Sequence, residues 1–252
     1  MSLHVKILGA GPDLVLLHGW AMHSDIWDGV RDQLARHFRL HLVDLPGHGG
    51  SAACETATLQ CMVEKVAEVL PDDCTICGWS LGGQVSVELA LQLPGRVKKL
   101  ILVSTIPCFI KHRDWQWGMD EEMLQLFMRN LKRDYVMTLD RFISLQVKGS
   151  TDTTAVLAKL RASFSHDREL NEASLQAGLQ ILLTTDLRNK IEKISQPVVL
   201  IHGENDIITH PSAARWMHQK LPSSELLMIP NCGHAPFLSH PDQFITKLIQ
   251  TV

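Results

Sequence analysis

The chain has 252 residues, a formal net charge of −3 and 45% apolar side chains, the profile of a folded globular protein and not of a disordered one. Apolar runs such as Leu14–Leu17 and Leu100–Val103 extend over four residues, far short of the roughly 18 that a membrane helix needs. With 24 basic and 27 acidic residues and no Lys/Arg block, neither nucleic acid nor a membrane is expected as a partner.

The N-terminus, MSLHVKILGAGPDL, has no basic stretch followed by a long apolar one, so no secretory signal is read there and the cytoplasm is expected. Strands are predicted over Val5–Leu8, Leu14–His18, Leu40–Asp44, Cys74–Gly78 and Lys99–Ser104, with helices over Leu59–Leu70 and Leu81–Leu93. Runs such as LVLL and LILV are apolar throughout, which suits parallel strands covered by helices on both faces. From about Lys111 to Thr185 the strand pattern stops. DEEMLQLFMRNLKRD, VMTLDRFISLQV, TAVLAKLRASF and NEASLQAGLQILL instead repeat apolar residues at helical spacing. After Asp186 the alternation resumes with a strand at Pro197–His202, a helix near Ser212–Lys220, a strand at Glu225–Ile229 and a helix around Gln243–Thr251. The expected architecture is α/β, with a core of residues 1–110 and 186–252 interrupted by a helical cap at 111–185.

Six cysteines, at 54, 61, 74, 77, 108 and 232, are too scattered for a disulfide framework. Cys74 and Cys77 form a C-x-x-C, but on a strand positions i and i+3 face opposite ways, so they cannot share one ion or close one disulfide. No metal and no organic cofactor is expected.

Gly78-Trp79-Ser80-Leu81-Gly82 reads G-x-S-x-G between a buried strand and an amphipathic helix. A sharp strand-to-helix turn lifts the central serine above the sheet edge, and glycines flanking it leave room for neighbouring elements. Ser80 is the candidate nucleophile. A hydroxyl needs a base, and the base an orienter, expected in the order Ser, acid, His after successive strands. Asp206 in HGENDIITH and His234 in NCGHAPF fit that order. Glu204 is the alternative acid, with Asp206 then capping a helix, and His234 is one of 13 histidines. Two amide donors are needed for the oxyanion, and Leu81 N–H and Trp20 N–H, the latter after the His18-Gly19 bend, are the candidates. His18 itself reads as a hydrogen-bonding support and not as a second base.

HGW at 18–20, DLPGHGGS at 44–51, GWSLGG at 78–83, GEND at 203–206 and GHAPF at 233–237 resemble the cap-bearing, ester-cleaving α/β-hydrolases over nearly the whole chain. More narrowly, LVLLHGW, HLVDLPGHG, GWSLGGQ, RFISLQ at 141–146 and HAPFLSHP at 234–241 resemble the carboxylesterases of biotin synthesis. Members of that family remove the methyl ester of pimeloyl-acyl-carrier protein. The resemblance implies the α/β-hydrolase fold, a mostly parallel sheet flanked by helices with the cap inserted after the sixth strand. It implies Ser80, His234 and Asp206 as nucleophile, base and orienter, and Trp20 and Leu81 at the oxyanion. Trp20 and the stretch Phe142, Ile143, Ser144, Leu145 and Gln146 would line the acyl pocket. Acyl-carrier protein is the implied partner, small esters would be accepted in vitro, and a monomer is expected. A serine at position 80 sets the chain apart from relatives with an aspartate nucleophile. A carbon–carbon bond hydrolase, a lyase of menaquinone synthesis and a non-catalytic binding module remain as alternatives.

Residues 123–166 carry seven basic and three acidic side chains, a net +4, which leaves −7 on the remainder. A positive cap on a negative body would steer an acidic carrier. Arg141 matches the family's carrier-contacting arginines, and Arg129, Lys148, Lys159 and Arg161 are the neighbouring candidates.

Overall fold

Parallel strands need long crossovers, and the helical patterns between the strands supply them. The computed structural model describes residues 3–163 and 172–252. The order is β1 (Val5–Leu8), β2 (Asp13–Leu17), α1 (Asp28–Leu34), β3 (Arg39–Val43), α2 (Leu59–Val69), β4 (Cys74–Trp79), α3 (Leu81–Gln92) and β5 (Val97–Val103). Four helices follow, α4 (Glu121–Arg133), α5 (Tyr135–Val147), α6 (Thr153–Ser163) and α7 (Glu172–Thr184). The chain closes with β6 (Val198–Gly203), α8 (Pro211–Lys220), β7 (Ser224–Ile229), α9 (Pro236–Ser239) and α10 (Pro241–Thr251). The strands form one sheet in the order β1-β3-β2-β4-β5-β6-β7, with only β1 antiparallel to its neighbour.

Each uniformly apolar strand feeds two cores. On β4, Cys74 and Ile76 pack into one hydrophobic cluster while Cys77 and Trp79 pack into the other. On β5, Leu100 and Leu102 face the first and Ile101 and Val103 the second. The two C-x-x-C sulfurs therefore lie on opposite faces of the sheet.

The strand pattern locates all seven strands, with ends shifted by at most two residues. Two short helices were not anticipated. In α1 only Val30 and Leu34 are buried, and α9 is a single turn, so neither carries a readable apolar stripe. The insertion point also differs from expectation. Among the described residues the helical segment leaves the sheet after β5, the fifth strand, and no further strand pairs outside β1. Within the segment, α4 starts with Glu121 and Glu122 and ends with Lys132 and Arg133, matching the helix dipole. Asp134 then caps α5 by accepting from Met137 N at 3.0 Å. Phe164 of the TAVLAKLRASF pattern, residues 164–166 of the basic stretch and Asn171 lie outside the described residues.

Candidate active site

Ser80 sits between β4 and α3 with φ 54° and ψ −115°, a backbone conformation that costs a non-glycine residue about 1–3 kcal/mol. What holds it there is close packing on both sides. A Cβ on Gly82 would lie 2.5 Å from the Leu17 carbonyl oxygen, and one on Gly83 would lie 1.9 Å from Thr105 Oγ1. Ser80 N donates to Val103 O at 3.0 Å, tying the turn to the end of β5. Among the described residues its hydroxyl has no hydrogen-bond partner, and it borders a cavity.

Asp206 follows β6 and His234 follows β7, the C-terminal ends of neighbouring strands. Asp206 is buried whereas Glu204 is exposed, which separates the two candidate acids. Ile208 N and Thr209 N each donate to Asp206 Oδ1 at 2.9 Å. Thr209 Oγ1 donates to Oδ2 at 2.6 Å, and His234 Nδ1 lies 2.8 Å from the same oxygen. Burial pushes the Asp206 carboxyl up, but the charge and hydrogen bond of His234, with His202 and Thr209, outweigh it and hold it down at about 2. An ionised carboxylate accepts from Nδ1–H and so leaves Nε2 of His234 as the ring's lone-pair nitrogen. Trp79 Nε1 donates to His234 O at 2.8 Å, and the two rings lie 5.5 Å apart. Thr209, like His202, belongs to this network and was not singled out from the sequence. Its signal was an Asp-x-x-Thr spacing, in which the carboxylate caps the following turn.

The loop after β2 presses against the serine turn, where a Cβ on Gly19 would lie 3.4 Å from Ser80 Cβ. Among the described residues neither Trp20 N–H nor Leu81 N–H donates to an acceptor, so both amides are available to an anion. His18 supports this loop. Leu45 N donates to its Nε2 at 2.9 Å, so its Nδ1–H points to Gly19 O at 2.8 Å and the ring is neutral. Burial, then His48, lower its pKa to about 3.

Above Ser80 a cavity of about 210 Å³ is walled by Trp20, Phe109, Phe127, Phe142, Leu145 and Leu179, with Asn130 as its one amide. Trp20 meets Phe142 edge-on at 5.0 Å and donates through Nε1 to Leu175 O at 2.9 Å, which anchors it to α7. Of the predicted acyl-pocket stretch, Phe142 and Leu145 line the cavity and Ile143, Ser144 and Gln146 do not. The reason is helical periodicity, since only residues three or four apart share a face. Ile143 is buried in the opposite core, Ser144 Oγ donates to Asp140 O at 2.9 Å, and the Gln146 carbonyl accepts from His234 N at 3.0 Å.

A family profile for the alpha/beta hydrolase fold matches residues 12–241. This chain belongs to the α/β-hydrolase family. The hydrolase is 56% identical over 245 residues to the pimeloyl-[acyl-carrier protein] methyl ester esterase of Nitrosomonas europaea, covering 97% of each chain. It is 54% identical to the protein of that name from Nitrosospira multiformis, covering 99% of this chain and 98% of that one. Among solved structures, an esterase from Exiguobacterium antarcticum superposes with a TM-score of 0.90 at 24% identity, covering 98% of this chain and 94% of that one. A bromoperoxidase from Bacillus anthracis gives 0.90 at 20%, again covering 98% and 94%, so both share the hydrolase's fold.

The five basic candidates on the hydrolase's helical segment divide. Arg129, Arg141 and Lys148 are exposed and form no ion pair among the described residues. Arg161 is committed to Asp140 through Nε and Nη2 at 2.9 and 3.0 Å, and Lys159 Nζ lies 3.4 Å from Leu238 O. Arg161 is paired within the segment because Asp140 lies on α5 within reach of α6.

Cys108, His112 and Asp186 of the hydrolase converge where the helical segment begins and ends, with ligand atoms within 4.8 Å of one another. Both Asp186 oxygens are taken by Arg188 Nε, at 2.9 and 3.0 Å, and a guanidinium in that place repels a cation. Among the described residues no helix is long and apolar enough to cross a membrane.

Proposed function

We propose that this chain is a serine carboxylesterase that hydrolyses the methyl ester of a pimeloyl chain carried on acyl-carrier protein in biotin synthesis. The observation that carries the reading is the buried Asp206–His234 pair in the loops after β6 and β7, together with Ser80 after β4 on the border of an apolar cavity. Relatives at 54–56% identity, named pimeloyl-[acyl-carrier protein] methyl ester esterases, supply the substrate. In this reading residues 111–185 act as a cap over the core.

Ser80 attacks the ester carbonyl as its proton passes to His234 Nε2, and the imidazolium is held by Asp206. The carbonyl oxygen, now an anion, accepts from Trp20 N–H and Leu81 N–H. His234 returns the proton to the departing methoxide, methanol leaves, and water activated by the same nitrogen releases the acid and restores Ser80. The apolar walls hold the methylene chain, and Arg129, Arg141 and Lys148 offer charge to an acidic carrier at the surface.

The test is mass spectrometry of a methyl pimeloyl-acyl-carrier protein incubated with the enzyme. A carrier lighter by one CH₂, absent with Ser80→Ala, supports the reading. An unchanged carrier in the presence of active enzyme refutes it. A carbon–carbon hydrolase gains no support from a cavity whose polar side-chain groups, among the described residues, are the Ser80 hydroxyl, the Asn130 amide and the Trp20 indole N–H.

A further inference from the structure

Helix α4 presents Met123, Phe127 and Asn130 to the cavity at spacings of four and three residues, one helical face. Periodicity calls for a third apolar side chain there, and the chain places a carboxamide instead. Trp20 contributes an indole N–H to the wall, but Leu175 O already takes it. Apart from Ser80, the Asn130 amide is therefore the polar group with capacity to spare. It makes no hydrogen bond among the described residues, and its residue is exposed, so it stands at the rim where the cavity meets solvent.

A purely apolar ligand gains nothing from an amide in this place, and leucine would pack better against it. An extended ligand with one ester at Ser80 and a second carbonyl further along gains a donor where it leaves the cavity. We infer that Asn130 reads the far end of the acyl chain, its Nδ2–H donating to a carbonyl at the opposite end from the scissile ester. The inference rests on the esterase reading and sharpens it, because it makes the site selective for chains with a carbonyl at both ends over plain fatty esters. A methyl pimeloyl thioester has such a second carbonyl.

A net hydrogen bond of this kind is worth about threefold to tenfold in specificity. The experiment compares kcat/KM, per ester group, for dimethyl pimelate and for methyl heptanoate, which has equal chain length and no second carbonyl. Wild type, Asn130→Leu and Asn130→Gln are measured, and circular dichroism reports their folding. The diester is expected to lead in wild type by roughly threefold to tenfold. That ratio should fall to near one in Asn130→Leu and be restored in part by the longer amide of Asn130→Gln. A ratio unchanged in Asn130→Leu overturns the inference while leaving the esterase reading intact. Hydrolysis of neither ester by wild type overturns both.

Discussion

The main-chain N–H of His234 donates to the Gln146 carbonyl at 3.0 Å, so the loop bearing the proposed base hangs from the end of α5. The same region is joined at three further points. Gly233 N donates to Ser150 Oγ at 2.9 Å, Thr151 N to Asn231 O at 2.9 Å, and Asn205 Nδ2 to Gly149 O at 2.9 Å. A Cβ on Gly233 would lie 2.8 Å from the Gln146 and Lys148 carbonyl oxygens, so backbone fills the interface on both sides. The helix that walls the cavity with Phe142 and Leu145 thus also fixes where the imidazole stands.

Removing one of these joints should disturb turnover before binding. Ser150→Ala leaves Gly233 N without its acceptor, at a cost of about 1 kcal/mol in stability, and loosens the residue adjoining His234. On p-nitrophenyl butyrate we expect kcat to fall severalfold with KM changed little. A variant that raises KM alone would show that this turn serves the pocket and not the base.

The strain at Ser80 gives a prediction free of catalysis. Glycine adopts φ 54° without penalty whereas alanine does not, so Ser80→Gly should unfold at a higher temperature than Ser80→Ala. A difference of about 1 kcal/mol corresponds to roughly 2–4 °C for a chain of this size. Equal melting temperatures would mean that the turn is not strained.

Much of this site is written locally in the sequence. G-x-S-x-G announces itself because a tight strand-to-helix turn permits few residues, and Asp206 and His234 are found because each lies in the loop after a readable strand. Helical positions such as Ile143 and Ser144 were misplaced because neighbours in a motif need not share a helical face. The joint between His234 and Gln146 leaves no mark in either residue's type, since a main-chain carbonyl acceptor is present whatever the side chain. The Arg161 ion pair is not legible because its partner, Asp140, is 21 residues away on another helix.

Three buried histidines set the acid stability. Burial lowers the pKa of His18, to about 3, and also those of His48 and His202. The folded protein therefore refuses protons that the unfolded chain takes up below about 6.5, and stability falls as pH drops from there toward 3. Urea unfolding at a series of pH values should show this slope well above the carboxylate range. His18→Gln keeps one donor and one acceptor but has no proton to gain, so its slope should be shallower. An identical slope would remove His18 from the account.

Asp206→Asn tests the orienter most sharply, because it changes the hydrogen-bond count without changing shape. The carboxylate accepts at both oxygens, with two backbone amides on Oδ1 and with Thr209 Oγ1 and His234 on Oδ2. An asparagine keeps its oxygen for the two backbone amides and turns its NH₂ toward His234, where it donates to Nδ1. The ring proton then moves to Nε2, which can no longer accept one from Ser80. The fold should persist by circular dichroism while kcat falls about 10⁴-fold, as expected when a base is held in the wrong tautomer. The wild-type carboxylate stays ionised down to about 2, so between pH 4 and 2 it contributes stability that fades as it is protonated. Asp206→Asn should lack that component of the acid transition. A loss in kcat smaller than tenfold would mean that His234 takes its tautomer from another partner, with Thr209 Oγ1 at 3.2 Å from Nδ1 the first to be examined.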